Sequence, residues 1–355
     1  MNPNYLWREI EPSELESWDL RLMQTSAHFA QFPFWNEPYR VMKLQPVYAC
    51  CYVAGMPVCY VAIVSIGPPR LRIGLVHRGP VNLISSEPPD VAVLIALRDW
   101  ARSHGYVFLR FVGFDSRIQE RVALVSPSKR VDSFPVWGGL STHSYMVDLQ
   151  ESEQAMLGGF QNVAVRNIKA ARKTGYEILS SDDPDVLTKA WPLFENLAVR
   201  KGIAFPRPLI SWQEVVRRGA PLGAATLHTA HLEGKTIQLI LTVRDSRITE
   251  YMIGVLDVEA LGKRPSPACL LHYHAMREAL RKGCRIYDLG PPSGPVAIFK
   301  QKFRPRDVIA PPTVTMITMP RAYRIWSGTA LRLAIPFWPY AKAALARWIR
   351  TGPTA

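Results

Sequence analysis

The hydrophobic pattern repeats itself once along the chain. Residues 47–64 read VYACCYVAGMPVCYVAIV, two apolar runs joined through Gly55, and residues 226–243 read TLHTAHLEGKTIQLILTV, the same plan around Gly234. Apolar runs of this length broken by a turn glycine predict β-hairpins. Each hairpin is followed by a segment with apolar residues three and four apart, VAVLIALRDWARSHG and ACLLHYHAMREALRKG, which predicts an amphipathic helix; Cys269, Tyr273, Met276 and Leu280 form one such stripe. Gly105 and Gly283 are placed to close the two helices in the left-handed conformation, and the runs YVFLRFVG and CRIYDLG that follow predict strands. Gly55 to Gly234 is 179 residues and Gly105 to Gly283 is 178, so two independent features agree on one offset.

Hairpin, further strand, helix and strand is the order of a GNAT-like unit, although other α+β folds share it. The expected fold class is therefore α/β (α+β): two tandem GNAT-like domains, each a mixed, mostly antiparallel sheet flanked by helices, with a cleft between them. Residues 124–140 are rich in Ser, Pro and Gly and read as loop, which puts the boundary near 150. The expected division is 1–145 for the first domain, completed by a returning segment 308–335, then 146–307 for the second and 336–355 for a C-terminal helix. Between the two halves, Glu151 to Thr174 predicts a helix whose face carries Arg166, Lys169, Arg172 and Lys173; a solvated basic face and a polyanion dock both fit it.

Composition changes this picture in two places. The chain has 355 residues, 48% hydrophobic and 20% charged, enough for two folded cores and unlike a disordered chain. Its net charge of +14 favours polyanionic partners, whether nucleic acid, anionic lipid or phosphorylated substrates. The five cysteines show no C-x-x-C spacing and have mostly apolar flanks, so buried thiols in a reducing compartment are expected. No metal-ligand cluster is legible: His272 and His274 lie two apart on a helix, hence on different faces, and His143, His228 and His231 are scattered. The polar start of the chain does not read as a signal peptide, and no apolar stretch nears the ~20 residues of a spanning helix, so a cytoplasmic location is expected. From Phe337 to Arg350 the apolar residues segregate from Lys342, Arg347 and Arg350, the pattern of a helix lying on anionic lipid or packed on the first domain.

The segment AMREALRKGCRIYDLGPPSGPVAIFKQKF (275–303) resembles the C-terminal signature of the FemABX-type transferases, in which a Gly-ended helix, a Tyr-Asp-Leu-Gly strand and a Phe-Lys-x-x-Phe segment follow one another. HFAQFPFW (28–35), HRGPV (77–81) and SYMVDL with VRNIKAARKTG (165–175) fit the same family in the same chain order. The resemblance implies two GNAT-like domains, an aminoacyl-tRNA co-substrate, no tightly bound cofactor, and a phosphorylated or lipid-linked cell-envelope precursor whose amine is acylated. It implies a catalytic Lys300, with Tyr251 orienting the acceptor or the carbonyl. It further implies acceptor binding by Arg200, Arg40, Trp35, Gln31 and Phe299. Asp288, at a strand end, reads as structural. Family members commonly carry an acidic residue where this chain has Val112; Asp115, three residues on, is the substitute candidate.

Two rival readings stand beside this one. An acyl-CoA or acyl carrier protein could be the donor, with an amino sugar of an exopolysaccharide as acceptor, although the pyrophosphate-binding loop of ordinary GNAT enzymes is not evident. The chain could also be a non-catalytic binding module of an envelope-assembly complex, which Val112 favours.

Overall fold

The computed structural model describes residues 4–125, 143–202, 207–292 and 294–325. Strands β1 (Leu6–Glu9), β2 (Gln45–Val53), β3 (Met56–Ile66), β4 (Arg72–His77), β5 (Val81–Asn82) and β6 (Tyr106–Val112) belong to a first sheet. Strands β7 (His143–Asp148), β8 (Glu177–Ser181), β9 (Ala225–Leu232), β10 (Lys235–Arg244), β11 (Ile248–Leu256), β12 (Ile286–Asp288) and β13 (Arg306–Ile309) form a second. Strand β14 (Val314–Ile317) returns to the first sheet, antiparallel to β6. The orders are β1-β2-β3-β4-β6-β14, with β5 on β3, and β13-β7-β12-β11-β10-β9-β8.

The two sheets repeat one topology. Hairpin β2–β3 turns through Ala54 (φ 49°) and Gly55 (φ 80°), and hairpin β9–β10 through Glu233 (φ 53°) and Gly234 (φ 75°). Two successive left-handed residues match the turn to the twist of the strands. Helices Val91–Ser103 and Ala268–Arg281 then cross over to give the parallel pairs β4·β6 and β11·β12. The predicted hairpins, crossover helices and mixed, mostly antiparallel sheets are all present. The stripe through Cys269, Tyr273 and Met276 is buried against the second sheet, beside Tyr287 and Leu271. All five cysteines are buried and unbridged.

The halves are joined by more than a linker. Phe29, Phe34 and Trp35, from short helical turns after β1, enter one hydrophobic core with Phe194, Trp212 and Leu239 of the second half. Arg207 reinforces this seam: its guanidinium lies 4.0 Å from the Trp35 ring centroid and 3.9 Å from that of Tyr39. A large apolar seam restricts relative movement of two sheets, and it fixes where their facing edges meet. The expected C-terminal helix 336–355 lies outside the described residues. No helix among the described residues is long and apolar enough to cross a membrane.

Candidate active site

Strands β4 and β12 end where β11 begins, and residues at these three strand ends meet across the seam. Strand β4 runs into Arg78, a non-glycine residue held at φ 55° by the hydrogen bond its N–H donates to Val112 O. A bulky residue in that region is uncommon and marks a position the surroundings determine. Arg78 Nη2 lies 2.9 Å from Glu250 Oε1 and 3.8 Å from Asp288 Oδ2, and its guanidinium stacks 4.5 Å over the Phe114 ring. Glu250 and Asp288 are register partners on the parallel pair β11·β12, so both carboxylates leave the same face of the sheet. His28 Nε2 reaches the same Glu250 oxygen at 2.9 Å.

Burial dominates the electrostatics of this cluster. It raises the carboxyl pKa of Asp288 to about 6, helped by the neighbouring Glu250 and opposed by Ser144, Arg78 and the Gly290 N–H. Burial also raises that of Glu250, against the pull of Arg78. His28 is pushed far down by burial and by Arg78, so its imidazole is neutral. Ser144 Oγ and the Gly290 N–H both donate to Asp288 Oδ1, the latter at 2.7 Å. Asp288 thereby ties down the turn after β12, through Gly290 at φ 74°, as its strand-end position suggested.

Lys300 lies directly behind this turn. It is only 5% exposed, on the helix Gly294–Gln301, and its ammonium donates to Pro291 O at 2.8 Å. Burial lowers its pKa to about 8, partly offset by the charge of Asp288. Its Nζ sits 5.9 Å from the Tyr251 ring centroid. Tyr251 packs edge-on against His272, which is itself hydrogen-bonded to the Tyr287 hydroxyl. Phe299 closes the same aromatic group, 5.5 Å from His272. Lys300, Tyr251 and Phe299 are thus brought together.

The other sequence-predicted residues are placed differently. Asp115 lines a cleft of about 440 Å³ together with His28, Arg78, Phe114, Arg117 and Arg247. There it accepts the Arg117 N–H at the start of the helix Ser116–Val125 and pairs with the Arg117 side chain at 2.9 Å. Gln31 is fully buried; it accepts from Ala62 N at 2.8 Å and donates to His77 O at 2.7 Å, a brace between the first helical turns and the sheet. Trp35 belongs to the shared core. Arg40 is exposed and paired with Glu37, and Arg200 is exposed on the last turn of the helix Pro184–Lys201. Neither Arg40 nor Arg200 lines the cleft.

Sequence reasoning missed Arg78, Glu250 and His28. Nothing in the segment HRGPV says that its arginine faces two carboxylates from two strands far along the chain. The reading of His228 as scattered needs correction: it comes together with His274 and Glu278, because strand β9 packs against the helix Ala268–Arg281.

Residues 160–300 match the sequence profile of the acetyltransferase (GNAT) domain family. A comparison with curated protein sequences finds no match. Among solved structures the chain is similar to FemX, at 13% identity with a TM-score of 0.71, over 90% of this chain and 99% of that one. It is also similar to the C-terminal domain of a putative lysylphosphatidylglycerol synthetase from Agrobacterium fabrum, at 11% identity and a TM-score of 0.55, over 89% and 95%. L-PGS from Bacillus licheniformis matches at 10% identity and a TM-score of 0.55, over 88% and 93%. The fold is FemABX-like, with two GNAT-type units.

Proposed function

We propose that this FemABX-like chain is an acyltransferase that forms an amide on an amine of a phosphorylated or lipid-linked cell-envelope precursor, taking an aminoacyl group from tRNA. The observation that carries the reading is Lys300: a nearly buried ammonium beside the seam of two GNAT-type units, backed by Asp288 and faced by Tyr251. The acceptor nitrogen attacks the ester carbonyl, so an N–C bond forms and the carbonyl oxygen becomes an oxyanion. Collapse breaks the ester C–O bond, and the proton lost by nitrogen ends on the ribose oxygen that leaves. The Lys300 ammonium stabilises the oxyanion in a site of low dielectric, where a fixed charge acts most strongly. Arg78 and Arg247 line the adjoining cleft and favour an anionic acceptor there.

The net charge of +14 supports a tRNA donor, as do the exposed Arg166, Lys169, Arg172 and Lys173 on the helix Asn162–Thr174. Among the similar folds, the domain from Agrobacterium fabrum bears a name, lysylphosphatidylglycerol synthetase, that joins an amino acid to a lipid, which is consistent with an envelope acceptor. The acetyltransferase-domain match over residues 160–300 favours a second reading, with acyl-CoA as donor and an amino sugar as acceptor. The purified protein, offered radiolabelled aminoacyl-tRNA or radiolabelled acyl-CoA with an extract of envelope precursors, separates the two. Label from tRNA alone in an alkali-stable amide is the expected result; label from acyl-CoA alone selects the second reading, and label from neither removes both.

The reading carries to the membrane in one respect only. A peripheral location on the inner face of the plasma membrane, through the basic residues after 336, is part of the proposal. Co-sedimentation with anionic vesicles should fall when residues 336–355 are deleted.

A further inference from the structure

We propose that the second unit holds a divalent transition metal, zinc by its donor set, at His228 Nδ1, His274 Nε2 and Glu278 Oε2, with Ser180 Oγ as the fourth donor. The four side chains come from three elements. Ser180 on the edge strand β8 is the register partner of His228 on β9, and His274 and Glu278 stand one turn apart on the helix Ala268–Arg281. Ser180 Oγ lies 3.0 Å from His228 Nδ1, 3.1 Å from His274 Nε2 and 2.6 Å from Glu278 Oε2. Glu278 Oε2 lies 3.6 Å from His228 Nδ1 and 3.9 Å from His274 Nε2, and the His/Glu ligand atoms all lie within 4.8 Å of one another. Zinc bonds of ~2.0–2.1 Å at tetrahedral angles require donor separations of about 3.3 Å. The four donors therefore sit at the corners of a loose tetrahedron, and shifts of under about 1 Å would close it.

The outer contacts are those a metal ligand needs: His228 Nε2 is held 3.0 Å from Thr242 Oγ1, leaving Nδ1 toward the cluster, and Lys282 holds the other Glu278 oxygen at 2.9 Å, turning Oε2 inward. Ser180 is exposed, which gives the ion a path in.

Strand β8 alternates poorly, with no fully buried position along it. Its attachment to the sheet therefore gains from a clasp to the helix, and the role assigned to the metal is to fasten this edge. The proposal is independent of the acyl-transfer reading. The test uses the full chain, stripped with a chelator and dialysed. Titration with Co2+ should reach one equivalent with the visible spectrum of a tetrahedral site, and Zn2+ should displace it. His274→Ala and Glu278→Gln, at partly exposed positions, should each weaken binding more than about tenfold, since even outer partners of metal ligands have effects of that size. Absence of a tetrahedral cobalt spectrum in the unaltered chain overturns the proposal, whatever the variants do. So does equal affinity in the unaltered chain and in either folded variant.

Discussion

Arg78 faces two buried carboxylates, and its removal tests the electrostatics of the seam directly. Burial and Glu250 hold the Asp288 pKa at about 6, against an ordinary 3.8. At ~1.4 kcal/mol per pH unit, that shift corresponds to about 3 kcal/mol of stability. An acid whose pKa is raised by folding binds more protons folded than unfolded. The folded state therefore loses this increment as pH climbs from about 4 to about 6, and does not regain it above. Arg78 is the cation that limits the loss, pulling both Glu250 and Asp288 down. In Arg78→Met both acids rise further, so the penalty grows and its window moves to higher pH. Removing one partner of a buried pair costs ~3–5 kcal/mol, and that cost should appear at pH about 8. At pH about 5 Asp288 is largely protonated, and Glu250, whose pKa is raised as well, carries less charge than at pH about 8, so the cation is needed less and the loss should be smaller. Urea unfolding of the unaltered and variant chains at the two pH values measures both quantities. Adding Glu250→Gln to the variant should restore part of the stability at pH about 8. An equal loss at both pH values would refute the assignment, as would a loss below ~1 kcal/mol at the higher one.

Other consequences can be checked separately. Lys300 acts as a cation in the proposed step and has a pKa near 8, so turnover should fall as pH rises through that value. Lys300→Ala should lower turnover at every pH, at least about a hundredfold, the typical loss of one oxyanion donor. Lys300→Arg, which cannot deprotonate in this range, should retain part of the activity and lose the alkaline decline; a decline that persists in the Arg variant assigns it to another group. In Gly79→Ala the added carbon would stand 2.6 Å from Gln31 Nε2, an amide already fixed on Ala62 and His77. That crowding should cost ~1–3 kcal/mol by thermal unfolding.

The repeat was legible because hairpins and amphipathic helices are written locally. Ala54-Gly55 and Glu233-Gly234 sit in matching contexts, and the cap glycines Gly105 and Gly283 lie at the same offset. The grouping of Lys300 with Phe299 was legible for a second reason: one motif carries both, whereas Tyr251 lies outside it on β11. Arg78, Glu250 and His28 were not legible, since they lie in three separate segments: the pairing of β11 with β12 sets Glu250 beside Asp288, and Arg78 and His28 reach it from the first half. Gln31 and Trp35 were expected at the substrate, yet the structure gives them buried protein partners. A polar or aromatic residue in a family segment looks the same in sequence whether it grips a ligand or braces a core. The cluster of His228, His274 and Glu278 was hidden for a related reason, because a strand and a helix contribute to it and only its His274–Glu278 half follows a helical spacing.

The apolar seam through Phe34, Trp35, Trp212 and Leu239 has an implication for how such a chain can be divided. Cut between β6 and β7, it would yield two fragments that each display half of a packed interior, and the second would carry away β14, a strand that belongs to its neighbour. Neither fragment should stay soluble alone, whereas the two made together should find each other and re-form the whole. What began as a repeated module has become an arrangement in which neither copy can leave.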